Sequence, residues 1–529
     1  MTRQLVLGDE AVALAAVHAG ISGAYSYPGT PATEIFESVH KMARKHDIHA
    51  VWSTNEKVAM EEALGMSYAG KRAIVSMKHV GLNVAADPFM NSGNTGANGG
   101  IVVAVADDPG MHSSQNEQDT RYYGQFAQIP VFEPSTQQEA YDLTRLAFEF
   151  SERYQIPVLL RLVTRLSHSR ADITVSEPRP QNEAKWPENL SSWTLLPSNA
   201  RIALKELVAK QEHFLRLSEE SDYNRLVLNP NNKKLGVIAS GIAYNYVMES
   251  LSGEDAPSIL KISIYPLPVE KIRKLVDHVA GILVIEDGYP FIESQLKGMF
   301  GIPGTQIFGR LSGHLPRTGE MNPDLVWEAL GNDPRPNVSK PSEVIASRPP
   351  SLCVGCPHID SYKALNEALS VYREPKVFAD IGCYTLGFYP PYNAIHSCVD
   401  MGASVGMAVG AAHAGVTPAV AAIGDSTFSH SGITPLIDAI KQDVPVTVVI
   451  LDNSTVAMTG FQPTQKTGNA LHDMLVGLGA DPGHIKIIEP LPRNHDENVR
   501  IIRKELAHGG LSIILAQRLC VQIARRHSK

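Results

Sequence analysis

A chain of 529 residues is longer than one hydrophobic core organises and predicts two to four domains. Charged residues make up 19% and hydrophobic ones 43%, the balance of a soluble globular protein, and the net charge of −8 gives no electrostatic case for nucleic acid or an anionic membrane. No apolar run reaches the length of a membrane span, the start lacks a signal-peptide pattern, and five cysteines are no disulfide framework; the expected location is the cytoplasm.

Strand and helix patterns alternate along the chain, which predicts parallel sheets covered by helices. Residues 1–185 form a first α/β block. Its strands are GAYSY (23–27), HAVWS (49–53), RAIVSM (72–77) and GGIVVAVADD (99–108), followed by a helix over 139–154 and the buried-strand run PVLLRLV. Residues 186–234 are polar and helix-prone and read as a connecting segment. A second α/β block, 235–330, runs through KLGVIASG, ILKISIY and GILVIEDG. Residues 331–351, rich in Pro and Ser, read as a linker. The last block, 352–529, holds all five cysteines.

Within that block, PAVAAIGD and VPVTVVILDN have the continuous apolar runs of strands buried on both faces. Between them GITPLIDAIKQ places Ile433, Leu436, Ile437 and Ile440 on one helical stripe. A β-α-β unit brings both strand ends to one sheet edge, so Asp425 and Asn453, 28 positions apart, converge. A carboxylate and an amide oxygen suit a hard divalent ion that bridges phosphates, and the N–H groups after Gly424 can hold phosphate oxygens. From this segment alone, an ordinary turn with Asp425 as N-cap explains the pattern equally well.

These residues resemble the diphosphate-binding motif of thiamine diphosphate enzymes: Gly-Asp-(Gly/Ser), about thirty residues, then Asn. The resemblance implies that Gly424, Asp425, Ser426, Asn453 and Thr455 bind the cofactor. Mg2+ would be held by the Asp425 and Asn453 side chains and the Thr455 carbonyl. Ser426 and Asp452 depart from the commonest form of the motif, which has Gly and Asn there. The segment TNEKVAMEEALGMSYAG (54–70) fits the second element of such enzymes, a carboxylate on the aminopyrimidine ring. Glu56 takes that role, with Gly65 nine positions on. Glu61 and Glu62 are rivals expected to be solvated, and a Glu favoured by the helix dipole in a first turn is the ordinary alternative.

Cys353 and Cys356 form a CxxC, which alone fits half a zinc site, a redox pair or two buried thiols. Cys383, Cys398 and Cys520 follow, enough thiolates for a four-iron cluster and too dispersed for a zinc ribbon.

Taken together, SYPGTPATEIFE, KHVGLNVAADP, LCVGCPH, ADIGCYTLG, MGASVGMAVGAAHA and GDSTFSHSG are similar to the large subunits of indolepyruvate ferredoxin oxidoreductases. These are one branch of the 2-oxoacid:ferredoxin oxidoreductases, and the match spans essentially the whole chain. The resemblance implies three doubly wound α/β domains of thiamine-diphosphate-enzyme type: pyrimidine-binding (1–185), transketolase-C-terminal-like (235–330) and diphosphate-binding (352–529). It implies oxidative decarboxylation of a 2-oxoacid, an arylpyruvate such as indolepyruvate, to an acyl-CoA. It assigns one [4Fe-4S] cluster to Cys353, Cys356, Cys383 and Cys520 and leaves Cys398 as a small packing residue. Thr30 would lie near the substrate carboxylate; His79 would line the pocket or be a hydrogen-bonded core residue.

The alternatives are a non-oxidative thiamine-dependent decarboxylase or ligase, and a non-catalytic scaffold subunit. Family members usually continue into a ferredoxin-like domain with two further cysteine runs, whereas this sequence stops nine residues after Cys520. Electrons are therefore expected to leave through an acceptor protein, with a smaller family subunit completing a hetero-oligomer built on a dimer.

Overall fold

Continuous apolar runs become strands buried on both faces. Ile101–Asp107 and Val158–Val163 are buried throughout and pair in parallel, Val102 opposite Val158. A computed structural model describes residues 2–187, 191–251, 255–335, 344–347 and 350–527. It divides the chain into two compact units, residues 1–339 and 340–529. Of the 331–351 linker, 336–343 and 348–349 lie outside the described residues.

The first unit holds a seven-stranded sheet in the order Ile264–Tyr265, Val131–Phe132, Val158–Val163, Ile101–Asp107, Ala73–Lys78, Gly23–Ser26, His49–Trp52. All pairs but the first are parallel, so the carboxyl ends of four central strands meet at one edge. A five-stranded sheet runs Gln306–Phe308, Gly281–Ile285, Leu235–Ser240, Ser258–Ile262, Leu226–Val227. One continuous apolar core covers both sheets. Strands not apparent in the sequence include the antiparallel pair of Thr2–Leu7 with Arg170–Val175 and the edge strand Leu226–Val227 inside the connecting segment. The rest of that segment is dominated by the helix Pro197–Glu220, which buries Ala203, Leu207 and Phe214.

The run ILKISIY, read as one strand, is two. Ser258–Ile262 pairs in the five-stranded sheet, and Ile264–Tyr265 crosses to the seven-stranded one opposite Val131 and Phe132. Asn224 makes the break: its Oδ1 accepts from the amides of Ser263 and Ile264 at 2.7 and 2.9 Å.

Where the two sheets meet, Arg161 and Arg121 are fully buried among carboxylates. Arg161 Nε donates to Asp107 at 2.7 Å, its Nη1 to Glu133, and its Nη2 to the Asp287 carbonyl at 2.9 Å. Arg121 pairs with Asp119 at 2.5 Å and Glu286 at 2.9 Å, and the Tyr265 hydroxyl donates to Glu133 at 2.6 Å. Removing one partner from a buried pair leaves an uncompensated charge, which costs about 3–5 kcal/mol. Arg161→Met is accordingly expected to lower the first thermal unfolding transition, followed by calorimetry. A midpoint equal to wild type contradicts the network's role in joining the sheets.

The second unit has a six-stranded parallel sheet: Ser397–Cys398, Lys376–Ala379, Ala419–Gly424, Val446–Asp452, Ser512–Gln517, Ile485–Ile488. Residues alternate between its faces. Val420, Ala422 and Val449 enter one core cluster, and Ala421, Ile423, Val448 and Ile450 the other. Both faces are helix-covered, as the doubly wound class requires. In the helix Ile433–Gln442 the buried residues are Leu436 and Ala439, while Ile437 is exposed, so the helix is rotated from the expected stripe. Among the described residues no helix is long and apolar enough to cross a membrane.

Candidate active site

The register pairs Gly424 with Leu451, so Ala419–Gly424 and Val446–Asp452 end level with each other. Asp425, Asn453 and Thr455 line one cavity there, with Gly424, Ser426, Gly382 and Cys383. Gly424 is sterically required, since a Cβ would stand 2.6 Å from the Tyr384 ring. Asp425 is almost fully buried and its Oδ2 has no hydrogen-bond partner. Burial pushes its carboxyl well above the ordinary range, and Asp452 adds to the effect. An unpartnered buried oxygen beside an amide oxygen and a main-chain turn fits a divalent cation; the N-cap of the helix Asp425–Thr427 is Gly424, with Asp425 its first residue. The backbone continues into a π-helical turn, Phe428–Gly432, a form that recurs at functional sites.

Asp452, where the commonest motif has Asn, organises the loop. It accepts from the Ser454 amide at 3.1 Å, Thr467 Oγ1 at 2.5 Å and the Gly468 amide at 2.7 Å. These bonds hold Ser454 at φ +62°. Asn453 Oδ1 accepts from the Thr455 amide at 3.1 Å, and its Nδ2 lies 3.3 Å from His358 Nε2. Burial lowers the His358 pKa to about 4, so the imidazole is neutral and accepts from Asn453.

Four cysteines gather beside this loop. Cys356 precedes the helix Pro357–Leu369, its amide bonded to the Cys353 carbonyl at 2.9 Å. The Cys520 amide donates to the Asn453 carbonyl at 3.1 Å, and Gln522 Nε2 donates to Cys353 Sγ at 3.4 Å. The segment after Ser512–Gln517 therefore returns over the CxxC turn. Burial raises the Cys356 thiol to about 11 and Cys383 to about 12; Cys353 and Cys520 push both in the same direction. Among the described residues, no three of these sulfurs come within 4.8 Å of one another. A tetrahedral zinc with bonds of about 2.3 Å needs sulfurs about 3.8 Å apart, so the four as placed do not form a closed single-zinc site. Cys398 is exposed, with Sγ 3.7 Å from the Asp380 carbonyl, and is not the packing residue expected of it.

In the first unit, Glu56 opens the helix Glu56–Tyr68 and is 5% exposed. Asn55 caps that helix by accepting from the Val58 amide at 2.9 Å. Glu56 packs on Gly81, where a Cβ would lie 2.6 Å from Oε1. Glu61 is exposed and paired with Lys57, whereas Glu62 accepts from Ser53 Oγ at 2.5 Å. Gly65 is exposed and meets nothing within 4 Å. Thr30 sits in the turn after Gly23–Ser26, its carbonyl accepting from Ser113 Oγ at 3.2 Å. His79 is a buried core residue, with Nε2 3.1 Å from the Asn116 carbonyl.

Sequence reasoning missed Lys78 and His358. The Lys78 stem crosses Gly29, and its Nζ donates to the Ser113 carbonyl at 3.1 Å, beside Thr30. Burial lowers its pKa to about 8 against the opposing pull of Asp108 and Glu56. Both residues lie inside motifs that were recognised, as the Lys of KHVGLN and the His of LCVGCPH, but membership in a motif carries no signal of side-chain direction.

Two family profiles match the chain: "Pyruvate flavodoxin/ferredoxin oxidoreductase, thiamine diP-bdg" over 14–201, and "Thiamine pyrophosphate enzyme, C-terminal TPP binding domain" over 380–511. The indolepyruvate oxidoreductase subunit IorA of Archaeoglobus fulgidus is 37% identical, over 97% of this chain and 86% of its own length. That of Methanothermobacter marburgensis is 37% identical over 98% and 87%. Among solved structures, a 2-oxoglutarate:ferredoxin oxidoreductase from Magnetococcus marinus aligns with TM-score 0.53 at 16% identity, covering 62% of this chain and 65% of that one, a likeness of fold alone.

Proposed function

The chain belongs to the indolepyruvate oxidoreductase IorA family, and from that premise we propose that it catalyses thiamine-diphosphate-dependent oxidative decarboxylation of an arylpyruvate to an acyl-CoA. A [4Fe-4S] cluster held by Cys353, Cys356, Cys383 and Cys520 would supply the electron exit to an acceptor protein, with a smaller partner subunit completing a hetero-oligomer built on a dimer. The observation that carries this reading is Cys383, which lines the Asp425–Asn453 cavity and also feels the charges of Cys353, Cys356 and Cys520. One residue thus serves both the diphosphate cavity and the thiol group.

Thiamine diphosphate, when bound, supplies the nucleophilic carbon that allows a 2-oxoacid to lose carbon dioxide, and the cluster supplies one-electron acceptance. The protein's residues do the rest. Asp425, Asn453 and the Thr455 carbonyl would hold Mg2+, and the amides after Gly424 and Ser426 would receive phosphate oxygens. His358, accepting from Asn453 Nδ2, fixes the orientation of that amide. Glu56 exchanges a proton with the aminopyrimidine ring. Thr30 and Lys78 receive the substrate carboxylate.

Anaerobic purification with iron analysis tests the reading. Cys520→Ser is expected to lose iron and the absorption near 400 nm, and Cys398→Ser to keep both. Full iron in Cys520→Ser, or zinc in place of iron, removes the electron route.

The Lys78 role predicts a pH effect. Its ammonium is present below about 8, so 2-oxoacid binding is strongest there. Above that pH, binding must take up a proton, and KM should rise up to about tenfold per unit. Lys78→Met is expected to raise KM and to flatten this profile. An unchanged profile in that variant assigns the carboxylate to another group.

A further inference from the structure

We infer that Asp9, Glu34 and His168 form a binding site for a first-row divalent cation, Mn2+, Fe2+ or Zn2+, separate from the diphosphate cavity. One ligand atom from each lies within 4.8 Å of the others, and bonds of about 2.0–2.2 Å set neighbouring ligands about 3.0–3.6 Å apart, so a small inward movement of the side chains would close the set on an ion. Three connections meet there. Asp9 is in the first turn of the helix Gly8–His18, Glu34 in the first turn of Thr33–Ala43, and His168 ends the short helix after Val158–Val163.

Asp9 supplies the independent observation. It is fully buried, and neither carboxylate oxygen has a hydrogen-bond partner. Ser167 lies beside it as a weak hydroxyl contact outside hydrogen-bond geometry, which only partly opposes the rise that burial gives the carboxyl. The neighbouring acid explains what Asp9 does not do: Glu10 accepts from the Leu7 amide at 2.8 Å, leaving the helix start served without Asp9. Glu34 Oε2 makes a long ion pair with His168 Nε2 at 3.5 Å, a pairing that a cation would replace once the imidazole is neutral. Gly8 lets the helix approach, since a Cβ there would lie 2.2 Å from the Leu166 carbonyl oxygen.

An unpaired carboxylate at this depth costs several kcal/mol, which a cation offsets. Two carboxylates and one imidazole suit Mn2+, Fe2+ or Zn2+, whereas Ca2+ and Mg2+ prefer all-oxygen sites. Glu34 and His168 are 38% and 34% exposed, so an ion can enter from solvent with Asp9 as the floor. Glu34 lies four residues after Thr30, so the ion would brace the turn that carries it. The site does not depend on the redox chemistry.

Mn2+ is the probe, because it binds thiolates poorly and leaves the cysteines out. It is titrated into the full chain freed of metals and thiamine diphosphate, and the free-ion EPR signal is followed. One equivalent should bind that Asp9→Asn and His168→Ala each weaken beyond the about 10- to 100-fold lost with an outer-sphere partner. Asp425→Ala should leave it in place. Mn2+ should raise the melting midpoint of wild type but not of His168→Ala, whose half-exposed position tolerates replacement. Wild-type stoichiometry and affinity in both variants would overturn the site, as would no Mn2+ uptake by Asp425→Ala. If Asp9 is only a protonated buried acid, Asp9→Asn keeps full Mn2+ binding, and the proposal is wrong.

Discussion

Glu56→Gln should lower kcat by about 10²–10⁴-fold, the share a positioned proton-transfer group contributes, while thiamine diphosphate stays bound. The amide has the shape of the acid, and the site favours shape retention. Glu56 is the first residue of its helix, nearly enclosed, with Asn55 capping beside it and Gly81 leaving room for its carboxyl. What the amide lacks is an exchangeable proton for the ring nitrogen. Steady-state kinetics and calorimetric titration with the cofactor separate the two effects. Near-normal turnover would transfer the role to another carboxylate, whereas loss of cofactor binding would make Glu56 a binding residue.

Asp425→Asn should act in the opposite sense on binding and on stability. Without a full carboxylate the Mg2+ site fails, and affinity for thiamine diphosphate should fall by more than about 100-fold, beyond the loss of an outer-sphere partner. The cofactor-free protein, however, should gain stability. Burial raises the Asp425 pKa in the folded state, so the native protein binds more protons than the unfolded chain over the window from about 4 upward. Stability from this group therefore falls as pH rises through that window, because burial and the neighbouring Asp452 both penalise its ionised form. Replacing it removes that penalty, and the melting midpoint of the cofactor-free variant at pH 7 to 8 should exceed that of wild type. A lower midpoint would show that Asp425 is a structural cap, and undiminished cofactor binding would defeat the diphosphate reading. This trade between function and stability is common where a site stores uncompensated charge.

The convergence of Asp425 and Asn453 was legible in the sequence because strand direction and right-handed crossover leave little freedom. Two buried apolar runs joined by a helix must end at one edge, and the register of Gly424 with Leu451 is that outcome. The CxxC, the two later cysteines and Glu56 were legible from spacing and family likeness, and the structure brings Cys353, Cys356, Cys383 and Cys520 into one charge-coupled group. Periodicity is local, and these features are local or follow from it.

The remainder was decided by partners far apart in the chain, which no local pattern encodes. Tyr265 bonds Glu133 across 132 residues, and the strand ILKISIY divides because Asn224, about forty residues upstream, takes the amides at the break. Ile437 turns outward although its spacing fits the stripe, because the helix face is chosen by packing on the sheet rather than by the helix itself. Asp452 becomes the organiser of its loop only when Thr467 and Gly468 arrive beside it, and Asp9 becomes an unpartnered carboxylate only when residues 166–168 close over it. The chain by itself determined that Asp425 and Asn453 meet at one sheet edge. Tertiary packing decided their charge, their exposure and their hydrogen-bond partners, because burial and electrostatic neighbours exist only once distant segments meet.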